Sequence, residues 1–227
     1  MSTREYRWRH LILLLSILLL FIVSPLVVEL RHGILILNIV GATVLLTASY
    51  AISERRRLFH VAVILSAISI IGTSLLLAFP KTWAVVISHA SIVVLVAFFI
   101  VTILDAVLRA GRITADRIFA AICVYMLIGY AWTFAYAILE ELKPGSFTAP
   151  PETVRNDYVG RVMQLRYFSF VTLATVGYGD IVPRAPAART MAMLEAITGQ
   201  FYLVALIGRL VGLHIVHTTR SASHERE

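Results

Sequence analysis

The sequence predicts an all-α integral membrane protein: six transmembrane helices, with a re-entrant helix and a glycine-bearing loop between the fifth and the sixth. Three observations carry this fold class. Of the 227 residues, 59% are hydrophobic and only 15% charged, with a mean hydropathy of +0.85. A soluble domain of this length could not cover so much apolar surface. The apolar residues fall into six long runs joined by short polar turns, which leaves no space for an added soluble domain. Finally, Thr175-Val176-Gly177-Tyr178-Gly179-Asp180 follows a short amphipathic run, Gln164 to Ala174, and sits between two of the apolar runs. Irregular backbone at membrane depth is tolerated only where protein or a water-filled path surrounds it.

The elements follow in order. Arg4, Arg7 and Arg9 precede an almost purely aliphatic first span, Leu11 to Leu30, with Pro25 near its far end. A secretory leader would begin similarly, but this core is too long and no small-residue cleavage site follows. Glu29, Arg31, His32 and Gly33 make the first outer turn, and Ile34 to Ile52 is the second span. Ser53 to Arg57, with three consecutive arginines, marks a cytoplasmic boundary. Leu58 to Phe79 is the third span, Pro80-Lys81-Thr82 an outer turn, and Trp83 to Leu108 the fourth span. Thr114 or Asp116 is placed to cap the fifth, Arg117 to Leu139. Glu140 to Met163 reads as a polar outer linker whose acids and bases nearly cancel, and the sixth span covers about Ala187 to Val216.

Charge sets the orientation. The N-terminus and the 53–57 and 109–117 loops hold nine arginines, whereas the two outer turns share Arg31 and Lys81. Both termini are therefore expected in the cytoplasm. The net charge of +7 reflects these helix ends, so no nucleic-acid partner is expected and the lipid membrane is the implied one. Cys123 is the single cysteine, so no internal disulfide can form. The fourth span also excludes a mechanism. A voltage sensor needs arginines at every third position through the membrane, but here the ionisable residues within the span are His89 and Asp105. Arg109 and Arg112 lie at its cytoplasmic end, with Asp105 and Arg109 spaced to pair. No strong voltage dependence is expected. His89 reads as a packed histidine, with a proton sensor as the alternative.

The loop carries the chemistry. A desolvated potassium ion must exchange its water shell for protein oxygens, and main-chain carbonyls supply them at fixed spacing. Aiming consecutive carbonyls at one axis requires backbone conformations that most residues resist, which Gly177 and Gly179 reach cheaply. The carbonyls of Thr175, Val176, Gly177, Tyr178 and Gly179, with the Thr175 hydroxyl, form the expected potassium-binding set. Val176 and Tyr178 turn their side chains outward into a supporting wall. Such a Thr-Val-Gly-Tyr-Gly loop is the established potassium filter, and Phe168 to Ala174 followed by the loop resembles the pore region of tetrameric potassium channels. The close match covers about Tyr167 to Pro183, and a looser one covers Ala115 to His217.

That resemblance implies a homotetramer, since one strip cannot surround an ion. It also implies a potassium-selective passive channel in the plasma membrane, taken here as a bacterial inner membrane. No cofactor is implied beyond the permeant potassium ions. The organisation is then a peripheral four-helix domain, 1–112, a pore domain, 113–217, and a short cytoplasmic tail, 218–227. Tyr167 and Phe168 would form an aromatic cuff behind the filter, and Tyr167 would brace Asp180, with tyrosine where many members carry tryptophan. Val171 departs from the glutamate that drives filter inactivation in some bacterial two-helix members. Gly199 matches the gating-hinge position, with close packing as the alternative reading. Gly208 and Gly212 permit close helix approach near the inner mouth, or gating. Glu195, a carboxyl inside an apolar helix, must be neutralised or hydrogen-bonded and is expected to reach the pore helix at Ser169 or Thr172. His214 and His217 read as interfacial residues, with internal acid sensing as the alternative. A weakly selective cation channel and an ion-transporter subunit are the competing readings. An enzyme is not expected, because neither a His-Glu-x-x-His motif nor a nucleophile elbow occurs.

Overall fold

The computed structural model describes residues 8–27, 33–53, 55–108, 114–148 and 158–224. Within these, the side chains of 33–35, 38, 77 and 210–224 are outside the description. Seven helices and one small pair of strands occur in this order: α1 (Arg9–Val27), α2 (Gly33–Ala51), α3 (Arg56–Ala78), α4 (Thr82–Leu108), α5 (Ala115–Leu142), β1 (Phe147–Thr148), α6 (Tyr158–Leu173), β2 (Val182–Pro183) and α7 (Pro186–His224). Among the described residues, α1, α3, α4, α5 and α7 contain stretches long and apolar enough to cross a membrane. The remaining expected span, α2, is a 19-residue helix with a shorter apolar stretch, Ile39–Ala51, among its described residues. The chain is thus an all-α, multi-pass membrane protein.

Helices pack in sequence order. The α1–α2 and α3–α4 hairpins form, α4 lies along α5, α1 also reaches α5, and α6 is held between α5 and α7. The central core joins Leu13 and Ile17 of α1, Leu95, Phe99 and Ile103 of α4, Val124 of α5 and Leu173 of α6. A second cluster near the filter joins Tyr136, Ala137, Leu165, Phe168 and Ile181. Contact between α2 and α3 is slight, so the two hairpins part and leave a cavity between them.

Several local features have direct physical causes. Pro25 cannot donate to the carbonyl of Phe21, four residues back, and the Ser24 hydroxyl donates to that carbonyl at 3.1 Å. Thr114 caps α5, its hydroxyl accepting from the Arg117 amide. Asp116, the other capping candidate, is occupied elsewhere: its two oxygens engage the His10 amide at 3.1 Å and His10 Nδ1 at 2.6 Å, tying the start of α1 to the start of α5. Asp105 pairs with Arg55 at 2.9 Å, across to the turn before α3. Its expected partner Arg109 lies outside the described residues, as do Arg112 and the linker acids Glu152 and Asp157.

Two boundaries move. The helix preceding the loop starts at Tyr158 rather than Gln164, because Val162 and Leu165 supply an apolar face for α5 that the polar linker composition concealed. At the other end, α7 continues to His224 and takes in most of the expected tail; no glycine or proline follows Gly212 to stop it. The linker is anchored where it is described. Glu140 accepts from the amides of Gly145 and Phe147 at 2.8 and 3.1 Å, β1 pairs antiparallel with β2, and the Ser146 carbonyl accepts from Arg184 at 2.7 Å.

Candidate functional site

The site is assembled at the C-terminal end of α6. The amides of Thr175 and Val176 fold back onto the carbonyls of Thr172 and Val171 at 2.9 Å each, and the Gly177 amide reaches Val171 at 3.4 Å. These bonds commit the N–H groups of Thr175, Val176 and Gly177 to the end of the helix. Backbone angles agree: φ is +55° at Thr175, +60° at Gly177 and +79° at Gly179, with Val176 and Tyr178 in the ordinary range between them. A chain alternating between the two hands lays successive N–H groups on one side and successive carbonyls on the other. The sequence reading reserved the left-handed conformation for the glycines, whereas Thr175 adopts it as well. A Cβ built on Gly177 or Gly179 meets nothing within 4 Å of the same chain, so within one copy it is conformation that calls for glycine.

Residues 174–180 are all exposed in the single chain. Val176 is 51% and Tyr178 71% exposed, so the wall expected around their side chains is incomplete here. One panel of it is present: the Tyr178 ring lies parallel to Tyr167, at 6.5 Å between centroids and 4° between planes. Tyr167 hydrogen-bonds the Asp180 carboxylate, which holds that carboxyl below its ordinary value, and Asp180 Oδ1 also accepts from the Ile181 amide at 3.0 Å. Phe168 is not beside Tyr167. Successive helical residues point about 100° apart, and Phe168 is buried against Tyr136 and Phe147, at 5.3 and 5.2 Å.

Behind the strip lies a polar centre. Glu195 on α7 is fully buried and accepts from the Tyr136 hydroxyl of α5 and the Ser169 hydroxyl of α6, at 2.5 Å each. Ser169 Oγ also lies 2.8 Å from the carbonyl of Gly129. The contact between Glu195 and α6 that the sequence suggested is present, at Ser169. The contact with Tyr136 was missed, because a tyrosine in an apolar span reads as packing. Gln200 was missed too. Its side-chain amide donates to the Thr175 hydroxyl at 3.3 Å, and an amide in the apolar run beside Gly199 was the available signal.

Gly199 faces the end of α6: a Cβ there would run into the Leu173 carbonyl oxygen. Close packing, the alternative to a hinge, therefore has a concrete reason. A Cβ on Gly208 meets nothing within 4 Å in the same chain, and the side-chain surroundings of Gly212, His214 and His217 are outside the described residues. His89 is fully buried in α4, with Nε2 2.8 Å from the Tyr158 hydroxyl at the start of α6.

A helix, a re-entrant helix, a carbonyl-bearing strip and a second long helix make up a pore module of the ion-channel class, and a family model described as "Ion channel" matches residues 155–213. The chain belongs to this ion-channel family. It is 30% identical over 102 residues to Protein LctB of Bacillus caldotenax, covering 44% of this chain and 74% of that one. It is 31% identical over 84 residues to the inward rectifier potassium channel Kirbac3.1 of Paramagnetospirillum magnetotacticum, covering 35% and 23%. Against the voltage-gated potassium channel of Aeropyrum pernix, identity is 31% over 110 residues, covering 48% and 32%. The chain therefore spans about a quarter to a third of the two named channels. No solved structure matches.

Proposed function

We propose that four copies of this chain form a potassium-selective, passive channel with no strong voltage dependence, its termini on the cytoplasmic side. The observation that carries the reading is the alternation of φ through Thr175, Gly177 and Gly179, the backbone pattern that would set a row of carbonyls on one side of each chain. Four such rows around an axis would replace the hydration shell of potassium, with the Thr175 hydroxyl as the innermost ligand. In such an assembly the carbonyl end of α6 would face the cavity below the filter and stabilise a cation there.

The supporting residues take roles from their contacts. Tyr167 and Asp180 brace the outer end of the strip, Gln200 steadies Thr175, and Glu195 with Ser169 and Tyr136 locks α7 to α6 and α5. Phe168 supports the strip at one remove, through the cluster with Tyr136 and Phe147. Gly199 sets how closely α7 approaches the end of α6, and Gly208 and Gly212 are left for contacts between copies or for gating. No cofactor is required by this chemistry.

The test is flux from proteoliposomes under opposed potassium and sodium gradients, beside a mass measurement of the purified particle. Selective potassium flux from a tetramer is expected. Equal sodium flux would favour the weakly selective cation channel, and a monomer would overturn the assembly.

A further inference from the structure

The parting of the two peripheral hairpins leaves a cavity of about 670 Å³, within the roughly 300–1,000 Å³ of pockets that hold small ligands. Leu20 and Gly41 line it from the first hairpin, Ile70 and Leu95 from the second. It runs between membrane helices, so its apolar portion suits an acyl chain better than a water-soluble molecule. Its rim on the filter-mouth side is different. There Pro80 of the α3–α4 turn and Tyr158 at the start of α6 meet three charged residues, Glu141, Arg161 and Arg166.

Arg166 is the informative one. It projects from α6 into the cavity wall, half-buried, donating to the Ser24 hydroxyl at 2.6 Å and lying 5.0 Å over the Phe21 ring. Among the described residues no carboxylate pairs with it. A guanidinium at membrane depth is costly without an anion or water, and among the described residues lining this rim Glu141 is one acid against two arginines. We propose that the cavity binds one anionic phospholipid from the leaflet on the filter-mouth side. Its phosphate lies at Arg166 and Arg161, and one acyl chain lies between the α1–α2 and α3–α4 hairpins. The bound lipid would touch α6 directly and so couple the peripheral helices to the helix that carries the filter. Binding itself does not depend on which ions pass.

The full chain is reconstituted in vesicles of equal phosphatidylglycerol and phosphatidylcholine, re-extracted in detergent, and its retained lipid identified by mass spectrometry. Phosphatidylglycerol should be retained preferentially and in stoichiometric amount. Arg166→Gln should lower that preference about fivefold, the equivalent of one basic residue at an anionic surface. Gly41→Phe should displace lipid of either class. A Cβ at Gly41 meets nothing within 4 Å, and Gly41 lines the cavity, so a larger side chain can begin there without a backbone clash and occupy the space the lipid would take. Equal retention of both lipids, retention unchanged by Gly41→Phe, or an intact tetramer holding no lipid would each overturn the proposal, the last by leaving the cavity to a neighbouring copy.

Discussion

The two faces of α6 meet opposite conditions. On one, Leu165, Phe168, Ser169 and Leu173 are buried against α5 and α7, with aromatic rings interlocked and the Ser169 hydroxyl satisfied. On the other, Tyr167, Val176 and Tyr178 are 41%, 51% and 71% exposed, and the strip they flank touches little beyond its own helix. Along α7, the outward residues Met193, Phe201 and Val204 are at least 60% exposed. A single chain thus completes the scaffold that holds the strip but leaves the strip itself unenclosed. Stability should therefore reside on the first face, and conduction on the second once, in the proposed tetramer, other copies supply the missing wall. Substitutions can separate the two.

The largest expected effect falls on the exposed face. Alanine at Gly179 would be held at a φ of +79°, at a cost of roughly 1–2 kcal/mol in each copy. Space is not the obstacle, since nothing lies within 4 Å. Gly179→Ala should abolish selective potassium flux, and the unfolding temperature of the detergent-solubilised particle should fall by no more than this backbone strain accounts for. A variant that still discriminates potassium from sodium would break the division between the faces.

On the packed face, Glu195→Ala removes the acceptor of the buried Tyr136 hydroxyl. Ser169 keeps the Gly129 carbonyl, so the orphaned tyrosine dominates, at about 1–3 kcal/mol before the vacated volume is added. Unfolding in denaturant should show this loss. Glu195→Gln, which can keep a hydrogen bond to each neighbour, should show much less of it. Equal losses would mean that volume rather than hydrogen bonding is what Glu195 contributes.

Gly199 sharpens the comparison by sign. Alanine in a helix interior is favoured over glycine by about 1 kcal/mol, so at a free hinge Gly199→Ala would stabilise. Here the new Cβ would run into the Leu173 carbonyl oxygen, and overpacking of this kind costs about 1–3 kcal/mol. The net expectation is a small loss, with Gly208→Ala as the control, open within its own chain. A stabilised Gly199→Ala variant would return the position to the hinge reading.

How much of this was legible in the sequence depends on the range of the interaction. The helices were read from the lengths of apolar runs, and the strip from its two glycines, because both are local properties of the chain. Glu195 stood out because a carboxyl in an apolar helix must find a partner. Its second partner, Tyr136, lies 59 residues away, and nothing in the pattern of α5 singles out that tyrosine. The pairing of His10 with Asp116, 106 residues apart, was hidden in the same way. Asp116 looked like a capping residue because the local geometry allowed it. Thr175 in a left-handed conformation was hidden for the converse reason: propensity disfavours it, and the hydrogen bonds to Val171 and Thr172 impose it.

The smallest expected effect lies where the two faces meet, at Tyr167 and Asp180. The Tyr167 hydroxyl holds the Asp180 carboxyl below its ordinary value, so the ionised form is the one the fold favours. A depressed carboxyl contributes fully above its unfolded pKa and loses that contribution as the pH falls through the lower folded value. The brace should therefore persist through the pH range where a free aspartate protonates and fail only in stronger acid. Both groups are accessible to solvent, so the change will be slight. It is read as the difference in unfolding temperature of the purified particle between wild type and Tyr167→Phe across an acid titration. The two should differ at neutral pH and converge once Asp180 is protonated. Because Tyr167 also stacks on Tyr178, and phenylalanine preserves that stacking, convergence isolates the hydrogen bond. A constant offset at every pH would assign the effect to packing on the exposed face instead.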